Sequence, residues 1–590
     1  MAAMDALQTP RQVVFTNKAR CRDCYRCLRE CPIKAIRICD DQAFVEADRC
    51  IACGTCVREC PQEAKSFRND VDHAAALLEA GGVVAASIAP SFAACFGPDD
   101  APRLADALRR LGFSYVAETA IGAFEVARAT ADHIATAPDA AHVCTACPAV
   151  VRYVEQYEPD MAPTLTPVVS PMIAHAQRIK EEQGDETKVV FIGPCVAKKA
   201  EAERPELAGL VDCVLTFTEL LEWFDQAGIT LGSFNPSAFD AEPAGDARFF
   251  PLPGGLARTA ALDTDLLGTE SLAVSSIDDI REAFENVRTA PGPVLIEPLF
   301  CTQGCVTGPG MPEEANTFRR RNDVLTYART HQGMTPEKVP PRNGLTARFS
   351  TPPPIDPAIA EAEIQDILER TGKALPEDQL NCGACGYVSC RDQAIAVLRG
   401  MADTDMCIPH MRRLAEQRSD RIIETTPNGV VILDDHLKIL HMNPAFRKMF
   451  QCTDAVLGKP ISYLMDPEPF ENLAVNSGDL AELTAHHGNY NLVCHQVIYP
   501  LRQEGQYVGV FVNITKSVAN EEMLKRLRSE TVRKARELLE HQVQVAQDMA
   551  QFLGESTAQS EELVRNLVSI ATDRPRQSGD NWLWDTDIST

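Results

Sequence analysis

Four cysteines in three short segments are candidates to hold one iron–sulfur centre. The segment Glu297–Pro312, EPLFCTQGCVTGPGMP, sets Cys301 and Cys305 four residues apart in a loop rich in glycine and proline. Cys147 in HVCTACPAV and Cys195 in VVFIGPCVAKKAE each lie beside a proline. Thiolates are soft ligands that suit iron–sulfur clusters, and a 4Fe–4S cubane takes four of them. The alternative is that they are core thiols, because free cysteine is among the most often buried residues.

Two other runs of cysteines have the spacing C-x2-C-x2-C-x3-C-P. Residues 21–32 read CRDCYRCLRECP and residues 50–61 read CIACGTCVRECP. This is the bacterial ferredoxin pattern, in which the fourth cysteine of each run ligates the other cluster. It predicts two 4Fe–4S clusters, one held by Cys21, Cys24, Cys27 and Cys60 and the other by Cys50, Cys53, Cys56 and Cys31. A zinc ribbon is the alternative, but it would use paired CxxC knuckles without a third cysteine or the CP end.

A third set lies further along the chain, in NCGACGYVSC and DMCIP. It has the spacing C-x2-C-x4-C-x16-C and uses Cys382, Cys385, Cys390 and Cys407. It resembles the small iron–sulfur domain of corrinoid-type electron-transfer proteins and predicts one more 4Fe–4S cluster. Zinc is the alternative at this site, because the x4 spacing is less diagnostic. Six cysteines remain outside any ligand set and are expected to be core thiols: Cys39, Cys95, Cys144, Cys213, Cys452 and Cys494.

The segments around Cys147, Cys195 and Cys301 resemble, in the same order, the three signatures of the catalytic domain of FeFe hydrogenases. The resemblance implies that these three cysteines and Cys305 hold a cubane, with Cys305 bridging to a diiron unit that carries CO, cyanide and a dithiolate. It also implies roles for four other residues near the diiron unit. Lys198 would hydrogen-bond one cyanide, Glu201 completes the PCxxKxxE motif, and Pro90 and Ser91 in IAPSF would touch the second cyanide.

The chain departs from that family at the positions that move protons. Where the family has a proton-transfer cysteine, directly before the first ligand, this sequence has Ala146. The two glutamates of the family's proton path have no match; Thr130 and His133 fall in their region, and Thr166 could replace the path's serine. His133 is expected to be a solvated helix residue rather than a relay. The remaining departures are Gly193 and Leu299 for methionines, Val150 for a tryptophan, and Gly308-Pro309-Gly310 for a glycine triplet.

An α/β domain between Asp70 and about Leu345 is expected to position this centre. Apolar runs at 83–88, 188–193, 212–217 and 293–300 predict buried strands. Helical stretches at 101–111, 121–136 and 276–288 lie between them. Because function in open α/β sheets sits at the carboxyl ends of strands, the three cysteine loops are expected to converge there. A proline-rich stretch, 335–357, then predicts a stiff linker.

The last third of the chain has the character of a signalling region. Residues from about 419 to 515 resemble a PAS domain, with an N-P-A-F helix and a closing hairpin that turns at Glu504-Gly505. His441 or His486 is the candidate axial ligand if this domain binds haem, although a lone histidine is more often surface or core. An eleven-residue apolar repeat over 524–553 favours a coiled coil. A single helix packed on the PAS domain is the alternative, and the tail 573–590 is expected to order only on a partner.

Composition limits the classes of partner. The chain has 590 residues and a net charge of −26, which argues against nucleic acid and anionic membrane surfaces. It has neither a transmembrane-length apolar run nor a signal-peptide core, so a cytoplasmic location is expected. In a reducing compartment its 22 cysteines are better explained as metal ligands than as disulfides.

The sequence therefore predicts a multidomain α/β protein. Its expected parts are a 2x(4Fe–4S) ferredoxin-like module (1–69), a bilobal α/β FeFe-hydrogenase domain (70–345), a linker with a small 4Fe–4S domain (346–416), an α+β PAS domain (417–516) and a C-terminal helix or coiled coil with a tail (517–590).

Three functions fit this organisation. The first is a sensor that binds H2 or reports redox state and signals through the PAS domain and helix. The second is a metabolic hydrogenase, and the third is an assembly-type protein with the cubane alone. We favour the sensor, because Ala146 cannot act as a general acid and a PAS domain adds nothing to H2 chemistry. Turnover as a hydrogen:acceptor oxidoreductase would then be low. The expected partners are H2 and protons, a redox carrier such as ferredoxin, a separate kinase or phosphatase, and a second copy of the chain if the PAS domain and helix dimerise.

Overall fold

The structure, a computed structural model, divides into two compact units, residues 1–406 and 407–590. It describes residues 12–515 apart from short gaps, together with 530–539 and 542. The gaps are 244, 263–270, 291, 293, 314–315, 331–341, 343, 354–355, 357 and 477–479. Within this described part, no helix is both long and apolar enough to cross a bilayer.

The first unit opens with a small module built from two similar halves. Its elements are β1 (Val14–Thr16), α1 (Arg26–Glu30), β2 (Ile36–Cys39), β3 (Gln42–Val45), α2 (Thr55–Arg58) and β4 (Lys65–Phe67). β1 pairs with β4, and β2 with β3, both antiparallel. Equivalent residues of the two cysteine runs have the same left-handed backbone, with φ 57° at Tyr25 and 75° at Gly54. The internal repeat in the sequence is therefore a repeat in the backbone.

Two parallel sheets follow, one in each lobe of an α/β domain. The four-stranded sheet has the order β6-β5-β8-β9, with β5 (Val84–Ile88), β6 (Tyr115–Glu118), β8 (Lys188–Gly193) and β9 (Cys213–Thr216). The three-stranded sheet has the order β10-β11-β7, with β7 (Ala141–Val143), β10 (Ser271–Ser275) and β11 (Val294–Leu299). β5 is buried along its whole length, as its apolar run predicts. All four predicted strands and the bilobal α/β fold class are confirmed.

Helices cover these sheets, including the three that were predicted. They are α3 (Val71–Glu79), α4 (Phe92–Asp100), α5 (Leu104–Leu111), α6 (Ala120–Thr136), α7 (Pro148–Tyr157), α8 (Pro171–Gln183), α9 (Ala197–Ala202), α10 (Phe217–Gln226), α11 (Gly255–Thr259), α12 (Ile277–Thr289) and α13 (Thr317–Thr330). The predicted helix 101–111 begins as a short 3-10 turn and becomes α5 at Leu104.

The ferredoxin-like module does not have a core of its own. Its buried residues Leu28 and Ile51 belong to one cluster with Val150, Phe284 and Ile296 from the three-stranded lobe. The four-stranded sheet has a separate core. The module is therefore packed as part of the lobe that supplies Cys147 and Cys301.

The chain between module and lobe is clamped by charged side chains. Arg68 donates to Asp70 at 2.8 Å and pairs with Glu203 at 2.7 Å. Lys199, which is 1% exposed, pairs with Asp70 at 2.8 Å and Glu219 at 2.9 Å. Removing one partner from such a buried set leaves an uncompensated charge, so the junction is held firmly.

A small helical domain closes the first unit. It comprises α14 (Glu361–Arg370) and α15 (Cys390–Leu398), which pack through Ile364, Leu368 and Ala394. The unit ends at Met406, ten residues before the boundary that the sequence predicted at 416.

The second unit contains a five-stranded antiparallel sheet of order β13-β12-β16-β15-β14. Its elements are α16 (Ile408–Thr425), β12 (Gly429–Leu433), β13 (Ile439–Met442), α17 (Pro444–Met449), α18 (Glu468–Asn476), β14 (Ala481–His487), β15 (Leu492–Leu501) and β16 (Gln506–Asn513). Asn443 caps α17, as the N-P-A-F motif predicts, and its side chain accepts the Phe446 N–H. The predicted α+β organisation of this region is confirmed.

The interior of that sheet domain is filled by aromatic side chains. Phe446, Phe470 and Phe511 are fully buried, and a Cβ added at Gly509 would lie 2.8 Å from the Phe511 ring. His441 and His486, the two candidate haem ligands, are both exposed. Neither therefore points into the domain.

Only part of the C-terminal helix lies within the described residues. Residues 530–539 are helical, and Leu539 packs against Val430, Tyr499, Val508 and Val510 of the sheet. This contact agrees with the alternative in which a single C-terminal helix packs on the PAS-like domain. Most of the predicted coiled-coil seam and the whole tail lie outside the described residues.

Candidate metal centre

The loop after β11 is shaped so that Cys301 and Cys305 face one site. Gly304 has φ 90°, and a Cβ there would lie 2.4 Å from the carbonyl oxygen of Pro251, so only glycine fits. The Cys305 N–H donates to that same carbonyl at 2.8 Å. Further along, the Gly310 N–H donates to the carbonyl of Pro194 at 2.9 Å. The loop of Cys305 is thus tied by its backbone to the loop of Cys195.

The structure brings the four predicted cysteines together from both lobes. Cys147 directly precedes α7, and Cys195 lies between β8 and α9. Cys301 and Cys305 follow β11. β8 belongs to the four-stranded sheet, and β7 and β11 belong to the three-stranded one. The site lies where two sheets meet.

The thiols in this site perturb one another. Burial and the neighbouring thiol of Cys147 raise the pKa of Cys195 to about 12. Burial, followed by the other three cysteines, raises the pKa of Cys301 well above its ordinary value. Metal-free thiols here would therefore stay protonated, and a bound metal must displace their protons. Such coupled, desolvated thiols are suited to hold a cluster.

The donor set of this site, four thiols within electrostatic range of one another, is that of an iron–sulfur cluster. Among the described residues, no three His, Cys, Asp or Glu side chains are close enough to hold one metal ion. A cubane does not require that, because each of its four irons takes one thiolate. The four cysteines therefore fit a 4Fe–4S cubane.

Lys198 and Glu201 form a buried pair beside this site. The Lys198 ammonium donates to Glu201 at 2.7 Å, to the Ser170 hydroxyl at 2.8 Å and to the carbonyl of Ala146 at 3.5 Å. An ammonium has three protons, and the longest of these contacts is the one that a ligand could replace. Lys198 is thus a fixed positive charge at the position where the sequence predicted a cyanide partner.

Ser91 has an unused hydroxyl. It precedes α4, directly after Pro90, and is 1% exposed. Its Oγ finds no hydrogen-bond partner among the described residues. Leaving a buried hydroxyl unpaired typically costs about 1–3 kcal/mol, so the site suits an added acceptor. Together with Lys198, it fits a diiron unit with cyanide ligands.

Ala146 has no ionisable side chain, and two threonine hydroxyls lie close to it in the fold. Ala146 is half-buried, and the hydroxyl of its neighbour Thr145 donates to the carbonyl of Val168 at 2.7 Å. The Thr166 hydroxyl donates to the carbonyl of Val143 at 3.2 Å. The two hydroxyls also lie 3.4 Å from each other, so each is in reach of the other as well as of a backbone carbonyl.

In helix α6 the side chains of the corresponding region are buried or held in ion pairs. Thr130 is buried, and Glu125 lies between Arg178 at 2.7 Å and Arg342 at 2.8 Å. His133 is half-buried with its ring 5.4 Å from that of His142, rather than fully solvated as expected. Burial, with a smaller contribution from His142, lowers its pKa.

One buried acid was missed by the sequence reasoning. Glu297 is 3% exposed in β11 and accepts the N–H groups of Leu256 and Ala257, both at 3.0 Å. Burial raises its pKa to about 7 although these backbone N–H groups oppose the shift. A charged residue inside the otherwise apolar run PVLIEPLF was the available signal.

The ferredoxin-like module groups its cysteines in the crossed pattern. The thiol of Cys27 is perturbed by Cys21, Cys24 and Cys60, and that of Cys31 by Cys50 and Cys53. Backbone N–H groups donate to three of the sulfurs, those of Cys31, Cys50 and Cys60, at 3.2 to 3.3 Å. Such bonds favour a charged thiolate ligand.

The cysteines of the third predicted ligand set differ in burial. Cys385 is half-buried, Cys390 begins α15 in the first unit, and Cys382 is exposed. Cys407 is buried at the N-terminus of α16, the first helix of the second unit. Of the six cysteines expected to be core thiols, only Cys144, Cys213 and Cys494 are buried; Cys39, Cys95 and Cys452 are half-buried.

Family models match four parts of the chain. Residues 82–309 match the iron-only hydrogenase large subunit, C-terminal domain, and residues 13–61 match the 4Fe-4S dicluster domain. Residues 375–409 match a putative Fe-S cluster domain, and residues 417–483 match the PAS domain.

Curated relatives fall into two groups. A cytosolic Fe-S cluster assembly factor of Vanderwaltozyma polyspora is 40% identical over 79 residues, 13% of this chain and 15% of that protein. Iron hydrogenase 1 of Clostridium pasteurianum is 27% identical over 278 residues, which are 39% of this chain and 48% of the hydrogenase. The chain thus spans about half the length of that hydrogenase and less of the assembly factor.

Among solved structures, the apo [FeFe]-hydrogenase of Chlamydomonas reinhardtii is similar, with a TM-score of 0.39 and 17% identity. The similarity covers 48% of this chain and 99% of that one.

Proposed function

We propose that this chain, an FeFe-hydrogenase-like iron–sulfur protein with ferredoxin, small Fe–S and PAS domains, is a sensor of H2 or of redox state. In this proposal Cys147, Cys195, Cys301 and Cys305 hold a cubane bridged to a diiron unit. The ferredoxin and small-domain clusters exchange electrons between that centre and a redox carrier such as ferredoxin. The PAS domain and C-terminal helix pass the result to a separate kinase or phosphatase.

The observation that carries the proposal is the methyl group of Ala146, at the position directly before Cys147 where the resembled family has a proton-transfer cysteine. A positioned general acid contributes typically 10²–10⁴-fold to a rate. Here the position has a methyl group, and Thr145 and Thr166 use their hydroxyls on backbone carbonyls. The site can bind a ligand without passing protons quickly, as a sensor requires.

Lys198 and Ser91 have defined parts in this proposal. When bound, the diiron unit would supply the open iron position at which H2 binds. Lys198, held by Glu201 and Ser170, would fix one cyanide through its ammonium. The unpaired hydroxyl of Ser91 would donate to the other. Both side chains orient the centre and neither delivers a proton in turnover.

The route to the output follows the covalent chain. Cys407, proposed as the last ligand of the small-domain cluster, directly precedes α16, which leads into the PAS-like domain. The aromatic filling of that domain favours a transmitter over a ligand-binding pocket. For this to be allostery, the cluster state must shift an equilibrium in these elements, and the partner must bind the two states differently.

Infrared spectroscopy of protein matured with the diiron-assembly machinery tests the centre. CO and cyanide bands, together with H2 turnover well below that of metabolic hydrogenases, are the expected result. Turnover equal to theirs would favour the metabolic alternative.

A pull-down from the native cell extract tests the output. We expect the full chain to capture a kinase or phosphatase differently under H2 and under an oxidant, and a chain cut after Thr515 to lose this difference. A partner indifferent to both the gas and the truncation would contradict the sensory role.

The second candidate is an assembly-type protein that holds the cubane without the diiron unit. The identity with the cytosolic assembly factor, 40% over 79 residues, favours it. An infrared spectrum without CO or cyanide bands after maturation, with all cubanes loaded, would select this function.

A further inference from the structure

We propose that a cavity beside the loop of Cys301 and Cys305 binds an oxyanion, the phosphate or carboxylate group of a small metabolite. Its main binding residue is Arg320, a buried guanidinium with no acid beside it. The cavity (the Arg320 cavity) has a volume of about 470 Å³. This site is separate from the thiols of the metal centre, and the inference does not depend on the sensory role.

Three elements form the walls of the Arg320 cavity. Thr302 and Gln303, which lie between the two cysteines of the loop, form one wall. Helix α2 of the ferredoxin-like module supplies Arg58, and helix α13 supplies Thr317 and Arg320. No cysteine is among the described residues that line this space, so it is not the space of a cluster. A ligand held there would touch both the cysteine loop and the module.

Arg320 has more hydrogen-bond donors than partners. It is 7% exposed, and its guanidinium donates to the carbonyls of Val306, at 3.2 Å, and of Pro312. Its Nε–H has no acceptor among the described residues. A guanidinium has five N–H groups, so two carbonyls leave most of them without a partner. Because buried polar groups are almost always hydrogen-bonded, a further acceptor is expected here.

Arg320 also lacks a counter-ion within the described part of the chain. The ionisable group that acts on it is the thiol of Cys95. Burial raises the pKa of Cys95 to about 12, although Arg320 opposes the shift, so this thiol is neutral near pH 7. The thiols of the metal centre have other cations, Arg58 beside Cys301 and Lys198 beside Cys305. Since a buried charge is normally paired, the site suits an anion from solution.

The other charges around the Arg320 cavity also favour an anion. Arg58 adds a second guanidinium to the lining. Of the two acids in the lining, Glu59 pairs with Arg26 at 2.8 Å and lies 3.6 Å from Arg58, and Glu313 is exposed to solvent. Thr317 is the first residue of α13, a 14-residue helix whose N-terminus has a partial positive charge. The lining therefore keeps an excess of positive charge.

The donors of this cavity determine the chemical class of the ligand. A guanidinium presents parallel N–H groups that match the oxygens of a carboxylate or a phosphate. The hydroxyls of Thr302 and Thr317 and the amide of Gln303 can donate to further oxygens. Sites for small molecules have volumes of about 300–1,000 Å³, and this cavity lies in that range. It can therefore hold a small metabolite and not only a bare ion.

The test is isothermal titration calorimetry of the full, cluster-loaded chain with inorganic phosphate and, separately, with malonate. Chloride keeps the ionic strength constant, and the tighter of the two anions identifies the ligand class. Arg320→Gln and Arg58→Gln should each weaken its binding by about tenfold, because each removes a charged hydrogen-bond donor. Arg319→Gln is the matched control, because it removes a neighbouring charge that is exposed on α13, and it should leave the affinity unchanged.

Three outcomes would overturn the inference. They are binding of neither anion, an affinity that both Arg320→Gln and Arg58→Gln leave unchanged, and an equal loss of affinity in Arg319→Gln. Iron content and circular dichroism establish that each variant is loaded and folded. If Arg320→Gln is not, Arg58→Gln decides, because Arg58 is exposed. The CO and cyanide bands are read separately, so failure of the sensory proposal leaves this test intact.

Discussion

Replacing Ala146 with cysteine should raise the H2 turnover of the matured protein by about 10²-fold. A thiol at this position would stand directly before the ligand Cys147, where a proton must reach the metal. The lower end of the 10²–10⁴ range applies, because the cysteine alone does not rebuild the route behind it. Thr166 remains bonded to the carbonyl of Val143, and Glu125 remains between two arginines.

Hydrogen evolution with a reduced viologen dye measures this gain. Ala146→Ser is the matched control, because a serine hydroxyl has nearly the same size but does not give up its proton near neutral pH. Iron content and the intensity of the CO and cyanide bands should be the same in all three proteins. An equal gain from serine, or no gain from cysteine in a fully loaded protein, would refute the reasoning about proton delivery.

Three other outcomes are expected. Full loading with four cubanes and a diiron unit should give about 18 Fe per chain (4 × 4 + 2), measured by elemental analysis, and zinc at the small-domain site would lower this by four. Lys199→Met should destabilise the first unit by about 3–5 kcal/mol in urea unfolding, because it leaves the buried Glu219 without its ion-pair partner, whereas Lys188→Met at an exposed pair should cost about 1 kcal/mol or less. Burial lowers the pKa of His175 in the folded chain to about 3, whereas the ordinary value is 6.5. Between these two pH values the imidazole takes up a proton only in the unfolded chain. The free energy of unfolding should therefore fall as the pH is lowered from 6.5 towards 3. His175→Gln should flatten the fall of the melting temperature between pH 7 and 5, and the exposed His73→Gln should not.

Local patterns in the sequence predicted most of the elements. The run KVVFIG became β8 with the predicted bounds, because a fully apolar run of that length suits a buried parallel strand. The N-P-A-F motif predicted the start of α17, because an asparagine directly before a helix accepts a backbone N–H of the first turn, here that of Phe446. The cysteine spacings predicted the ligand sets, since cluster geometry limits how far apart ligands can be.

What the sequence could not supply depends on distant pairs of residues. Cys195 lies on a different sheet from Cys301, and no pattern within either segment reports this. Arg152 lies in a helix of the catalytic domain and faces Cys50 across a cavity, more than 100 residues away in the chain. The sequence showed Glu297 only as part of a strand. Its hydrogen-bond partners are backbone N–H groups about 40 residues earlier in the chain, and no local pattern reports them. Such contacts exist only after the lobes have packed.

The clamp at Arg68, Asp70 and Lys199 determines how the ferredoxin-like module can work. With Asp70 held by a buried lysine and Arg68 held by two carboxylates, the module cannot act as a swinging arm that visits a carrier and returns. In the proposed function, electron transfer between its clusters and the Cys147 site would therefore be tunnelling across a fixed gap. Its rate should be independent of solvent viscosity, and only the encounter with the external carrier should slow in a viscous medium.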